Sequence, residues 1–236
     1  MRLDKFISYA LDVSRDNAKK IIKSKEITIN GRIVNSPSFN VDANLDKVMQ
    51  GDRVLEYNEH IYLMMNKPSG YLSATLDRNK TVIDLVDEYK KYNIFIVGRL
   101  DIDSVGLLIL TNDGELAHRI TSPKSNIVKK YYVEVDGKFE ASDIQIFKDG
   151  MVISDGKGRM FKTLPALLEI INDNSAYISI TEGKFHQVKY MCEFLGKKVK
   201  YLKRNGIGPL ELDNDLEEGK YRKLTKEEID SLKLFT

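Results

Sequence analysis

At 236 residues and 42% hydrophobic content, the chain has room for one large domain, or a small one joined to a larger one, with a sizeable core. Its 37 basic and 35 acidic residues leave a net charge of +2, so bulk charge points to no partner and only local clustering can argue for nucleic acid. A single cysteine, Cys192, excludes an internal disulfide; His60, His118 and His186 are too scattered for a metal site; and no apolar run approaches the roughly 20 residues of a membrane span. The charged N-terminus has no apolar core of signal-peptide length, which makes the cytoplasm the expected compartment.

In chain order, Leu3, Phe6, Ile7 and Ala10 recur at helical spacing. Ser14 stands where an N-cap should precede a second helix, with Ala18, Ile21 and Ile22 on its buried face. Asn30-Gly31 between Ile27-Thr28-Ile29 and Arg32-Ile33-Val34 signals a hairpin, and Gly51-Asp52 turns into a last short strand at Arg53-Val54-Leu55. Tyr57 to His60 reads as a linker. Ile61 to Met65 is an apolar strand closed by the turn Asn66-Lys67-Pro68-Ser69-Gly70, and Val82, Leu85, Val86 and Tyr89 predict a helix over 81–92.

Phe95-Ile96-Val97 and Gly106 to Leu110 read as two buried strands around the polar stretch Gly98 to Ser104, which carries Arg99, Asp101 and Asp103. By spacing alone this is a scaffolded site or an ordinary surface loop. A helix follows from Glu115, stopping at Ser122-Pro123. Lys129 to Asp136 alternates as a strand, with Tyr131, Val133 and Val135 on one face. Ile144 to Met151 is expected to be helical, Gly156-Lys157-Gly158 a mobile turn, and 166–171 and 177–180 strands. Lys184 to Leu195 carries the helical stripe Val188, Met191, Cys192 and Leu195. The run KKVKYLKR at 197–204, without an acid, reads as an edge strand that either binds a phosphate backbone or is guarded by its lysines. Thr225 and Glu228 form a capping box for a final helix.

Between Arg15 and Arg32 there are six basic residues, Arg15, Lys19, Lys20, Lys23, Lys25 and Arg32, against two acids, Asp16 and Glu26. Lysines on a helix face are usually just solvated. Two helices followed by a hairpin, with VSRDNAKKIIKSKEITINGRIV across them, resemble the S4 RNA-binding module. That resemblance implies phosphate contacts for Arg15, Lys19, Lys20, Lys23 and Arg32.

The stretch Gly98-Arg99-Leu100-Asp101, then Ser104, Gly106 and the apolar run to Leu110, resembles the signature of the Rsu-type pseudouridine synthases at every place. Asn66-Lys67-Pro68-Ser69-Gly70-Tyr71, Lys129-Lys130-Tyr131 and Glu182-Gly183-Lys184-Phe185-His186-Gln187-Val188-Lys189 are similar to that family's other blocks, in the same order. The resemblance spans essentially the whole chain and is nearest to the branch that acts on small-subunit ribosomal RNA.

It implies an α+β protein, with a small S4 domain at 1–57 and, at 58–236, a catalytic domain on a mixed, mainly antiparallel sheet. The implied reaction breaks a uridine's C1′–N1 bond and rejoins the rotated uracil through C5, with neither redox change nor leaving group, so no cofactor and no metal are expected. The implied substrate is one uridine of 16S ribosomal RNA (the uridine-516 type), free or in an assembling particle, and the enzyme is expected to be a cytoplasmic monomer. A uridine of 23S ribosomal RNA, or a non-catalytic role in binding or assembly, are the alternatives.

Among the residues, composition does not choose between Asp101 and Asp103; the family motif assigns catalysis to Asp101. A working carboxylate must stay ionised although partly buried, which calls for an opposing cation, and Lys189 occupies that place in the resemblance. Tyr131 is implied to stack on the uracil and take part in proton transfer at C5. Arg99 is implied to occupy the space of the flipped base. Lys67 and Arg204 complete the expected RNA contacts. His186 is left outside the catalytic set, and Gly206 stands where the family often carries another basic residue.

Overall fold

A computed structural model describes the chain except Asn44, Asn58, Glu59, Pro123, Gly156, Lys157 and Thr236, and the side chain of Lys91. Parts of three expectations, the linker at 57–60, the stop at Pro123 and the turn at 156–158, therefore lie outside the described residues. The chain forms two compact units, Met1–His60 and Ile61–Thr236.

In the first unit, helices α1 (Leu3–Ala10) and α2 (Arg15–Lys23) precede strands β1 (Ile27–Ile29), β2 (Arg32–Ile33), β3 (Val48–Gln50) and β4 (Arg53–Leu55). Ser14 accepts the Asn17 N–H at 3.2 Å, which caps α2. Asn30 and Gly31 both take positive φ, 51° and 79°, the backbone that a tight hairpin of this hand demands. The strands form an antiparallel sheet in the order β2-β1-β3-β4, and Phe6, Ile7, Ala18, Ile22, Ile27 and Val48 are buried together. The cations stay outside that core. Arg15, Lys20, Lys23 and Arg32 are exposed, and Lys19 is half-buried, its ammonium 3.0 Å from Asp16.

The second unit contains β5 (Tyr62–Lys67), β6 (Phe95–Val97), β7 (Val105–Thr111), α3 (Gly114–Thr121), β8 (Lys129–Asp136), α4 (Ala141–Asp149), β9 (Val152–Ser154), β10 (Met160–Lys162), β11 (Leu167–Asn172) and β12 (Ser175–Ile180). It ends with α5 (Gln187–Phe194), β13 (Lys198–Ile207), β14 (Leu210–Glu211), β15 (Tyr221–Lys223) and α6 (Lys226–Phe235). Its nine-stranded sheet runs β11-β12-β8-β13-β7-β5-β15, with β14 on β13 and β6 on β7. The β13–β7 pair is parallel and the other described pairs are antiparallel. Every residue of β7 is buried, as its unbroken apolar run requires of a strand covered on both faces. Cys192 is buried in the core beside Met191 and Val188, and burial pushes its thiol pKa up to about 12, which keeps it inert. Among the described residues no helix is long and apolar enough to cross a membrane.

Two expectations fail here. The helix over 81–92 is instead two 3-10 segments, Val82–Leu85 and Asp87–Tyr92. Ile83, Val86, Tyr89 and Tyr92 are all buried and fall at intervals of three, the repeat that aligns side chains on a 3-10 turn. The run at 197–204 is not the edge strand expected: β13 pairs with β8 along its length and with β7 at Lys203 and Arg204. Two of its lysines meet acids from neighbouring elements. Lys197 is buried against Asp143 at 3.0 Å, and Lys200 meets Asp136 at 3.1 Å.

Candidate active site

The polar stretch Gly98 to Ser104 joins β6 to β7, two strands in antiparallel register (Phe95 opposite Thr111, Val97 opposite Ile109). The backbone of this connection is tied down at nearly every residue. Ser73 Oγ donates to the Leu100 carbonyl at 2.8 Å and accepts the Leu100 N–H at 3.1 Å. The Ser104 N–H donates to the Asp101 carbonyl at 3.1 Å, and the Gly70 N–H donates to that of Ile102 at 2.8 Å. Lys67 Nζ donates to the carbonyls of Pro68, Ile102 and Ser104 at 3.1, 3.3 and 2.8 Å. Arg204 Nε donates to the Leu107 carbonyl at 2.8 Å, and its Nη1 reaches that of Arg99 at 3.5 Å. A side chain on this loop is thus held by the backbone on both sides of it, the condition for a preorganised group.

Two residues expected to touch RNA hold the loop in place, and Lys67 does so wholly out of reach of solvent. Lys67 is 0% exposed, and its ammonium is taken up by the carbonyls of Pro68 and of Ile102 and Ser104 in the loop, so it has no face for a phosphate. Arg204 is 4% exposed; it lies opposite Tyr131 in the β13–β8 register, donates to the carbonyls of Leu107 in β7 and Arg99 in the loop, and stands in the wall of the pocket that Asp101 faces.

Burial pulls the Lys67 pKa down to about 8, although Asp103 and Asp101 push it the other way. Between that value and the ordinary 10.5 the unfolded chain holds more protons than the folded one, so stability rises with pH across the window. Wild type should therefore gain unfolding free energy relative to Lys67→Met as pH climbs from about 8 to 10.5 in urea denaturation. A difference that stays flat would show that Lys67 is not buried as a charge.

Asp101 faces a pocket of about 280 Å³ lined by Arg99, Lys129, Tyr131, Leu202, Arg204 and His186, among others. Its side chain is 24% exposed, and both carboxylate oxygens have cationic or titratable neighbours. Lys189 Nζ stands 3.1 Å from Oδ2, and His186 Nε2 stands 3.4 Å from Oδ1. Lys189 also meets Asp103 at 2.6 Å. Burial opposes the Lys189 charge, but hydrogen bonds to Asp103 and Asp101 outweigh it and hold the ammonium above the ordinary lysine pKa. For Asp103, the lysine likewise overcomes the effect of burial and lowers the carboxyl pKa. Asp103 is therefore a second carboxylate on the same lysine.

Tyr131 lies on β8 two residues from Lys129, is 8% exposed, and lines the pocket with it. Lys129 donates to the Thr181 carbonyl at 3.2 Å, and its pKa is lowered by burial and by the nearby Arg204. Arg99 is exposed at the pocket edge. The arrangement offers a cation-paired carboxylate, a flat aromatic wall and cations on a space suited to a ring-sized ligand. Arg15, Lys19, Lys20, Lys23 and Arg32 belong to the Met1–His60 unit.

Sequence reasoning missed His186 as a neighbour of Asp101. The signal was its place in the block ending at Lys189, but only the turn ahead of α5 brings the imidazole to the carboxylate. It missed Lys129 as well, which two-residue alternation places on the same strand face as Tyr131.

Residues 61–194 match the family model described as RNA pseudouridylate synthase, and residues 1–46 match that of the S4 domain. The chain is 42% identical, over 97% of both sequences, to a Bacillus subtilis protein described as uncharacterized RNA pseudouridine synthase YtzG. It is 38% identical to ribosomal small subunit pseudouridine synthase A of Escherichia coli strain K12, over 98% of this chain and 100% of that one. A crystal structure described as pseudouridylate synthase aligns with a TM-score of 0.69 at 39% identity, over 98% of this chain and 99% of the other.

Proposed function

The chain belongs to the RNA pseudouridine synthase family, in its S4-bearing branch, and we propose that it converts one uridine of 16S ribosomal RNA to pseudouridine in the cytoplasm. The observation that carries this reading is the carboxylate of Asp101, paired with Lys189 and facing a pocket walled by Tyr131. In the proposed reaction the uridine flips out of its stack and its uracil lies against Tyr131. Asp101 serves as nucleophile or base while the C1′–N1 bond breaks, the uracil turns, and a C5–C1′ bond forms; C5 gives up its proton and N1 gains one, so no atom is lost overall. Lys189 holds its ammonium against the Asp101 carboxylate at 3.1 Å, and Arg99 fills the space that the base vacated. The small-subunit target rests on relatives named as ribosomal small subunit pseudouridine synthase A, each about 40% identical.

Mapping pseudouridines in both ribosomal RNAs from cells with and without this protein tests the assignment. The expected result is the loss of one 16S site. Loss of a 23S site instead would move the target, and no loss anywhere would leave an RNA-binding or assembly role.

The exposed cations of the Met1–His60 unit are proposed to follow the phosphate backbone. Replacing Arg15, Lys20, Lys23 and Arg32 together with glutamine should make the slope of log affinity against log salt shallower by about 3 units. An unchanged slope would remove this unit from the RNA interface.

A further inference from the structure

At the edge of the Asp101 pocket, the segment ahead of α5 carries a feature that the proposed chemistry does not use. Phe185 is 60% exposed, and its ring lies parallel to the His186 imidazole, with centroids 3.8 Å apart and planes 16° apart. The same imidazole reaches Asp101 Oδ1 at 3.4 Å. Two stacked rings thus run outward from the candidate catalytic carboxylate to the surface.

The backbone beneath them is unusual. His186 is the N-cap of α5, yet its φ and ψ are 51° and 22°, in the left-handed region, and its side chain makes no capping hydrogen bond. A residue with a β-carbon adopts this conformation at a cost, and such strain gathers at functional sites. The segment is nonetheless fixed. Buried Gln187 accepts the Lys184 N–H at 3.0 Å and donates to Glu182 at 2.6 Å, and Lys184 itself sits over the Phe161 ring at 3.5 Å. A single exposed phenylalanine is ordinary. One that is locked parallel to a second ring, on a strained but anchored turn, next to the reacting group is a platform.

We propose that Phe185, stacked on His186, is a subsite for the nucleobase adjacent to the target uridine. The proposal rests on the family reading above. When the uridine leaves its stack, a neighbouring base loses a stacking partner, and unstacked bases are flat ligands that aromatic side chains hold without reading their sequence. Phe185 replaces that lost partner, while His186 sets the distance between the subsite and Asp101.

The test uses the full-length protein and a synthetic hairpin spanning the uridine that mapping identifies, together with two versions in which the nucleotide on one side or the other is abasic. Phe185→Ala should weaken binding of the intact hairpin roughly tenfold, with Phe185→Trp restoring it. On one of the two abasic hairpins, wild type and Phe185→Ala should bind equally. The exposure of Phe185 means that both variants should melt as wild type does. If wild type converts the uridine but Phe185→Ala binds the intact hairpin as tightly, or loses the same factor on all three RNAs, the subsite is overturned alone. If wild type converts no ribosomal uridine, the family reading falls and takes the subsite with it.

Discussion

Asp101→Asn is expected to fold normally and to form no pseudouridine, a loss on the order of 10⁴-fold or more, as when a covalent nucleophile is removed. The amide has the shape of the carboxyl, and the loop that carries it is held by Ser73, Lys67 and Arg204 through backbone carbonyls that the substitution does not touch. Lys189 is not stranded either, because Asp103 remains 2.6 Å away. The change in stability should therefore stay within about 1 kcal/mol, the range of partly exposed ion pairs. Asp103→Asn separates the two carboxylates. It should leave most of the activity, since Asp101 keeps its own contact with Lys189 at 3.1 Å. Pseudouridine formation in the RNA measured in single turnover, with a melting curve for each variant, decides the matter. Activity retained in Asp101→Asn and lost in Asp103→Asn would transfer the role to Asp103.

What could be read beforehand was whatever short-range pattern determines. The alternation at 129–136, the unbroken apolar run of β7 and the Asn30-Gly31 turn each carry their geometry within a few residues. The family motif singled out Asp101, a choice that spacing could not make against Asp103. Lys67 was misjudged for a different reason. A lysine at the end of a strand normally reaches solvent, and only the folded loop adds the Ile102 and Ser104 carbonyls to that of its neighbour Pro68. The run at 197–204 misled in the same way. Its lysines looked like edge guards because the acids that receive two of them, Asp136 and Asp143, are more than fifty residues away in the chain. His186 and Asp101 are likewise remote in sequence. Contacts of this kind depend on the order of strands in the sheet, which no local pattern encodes.

Gly106→Ala should be the most damaging single methyl group in the catalytic unit. Gly106 sits where β7 lies parallel to β13, opposite Arg204, with φ at +100°. A β-carbon there would stand 2.4 Å from the Arg204 carbonyl oxygen, 2.8 Å from its nitrogen and 2.9 Å from Lys203 Cγ. Neither strand can yield easily, since β7 is also paired with β5 and β13 with β8. Backbone strain and overpacking together should remove about 3–5 kcal/mol, a large part of the usual 5–15 kcal/mol of a folded domain. The shift would also reach the site, because Arg204 holds the carbonyls of Arg99 and Leu107 on either side of the catalytic loop. Folded Gly106→Ala should accordingly lose turnover as well as stability. Gly114→Ala is the matched control: it lies at the start of α3 without positive φ, and nothing stands within 4 Å of its would-be β-carbon. It should be neutral or slightly stabilising, because alanine narrows the unfolded ensemble. Urea denaturation of both variants reads the contrast directly, and a Gly106→Ala protein as stable as Gly114→Ala would mean that β7 and β13 do not approach so closely.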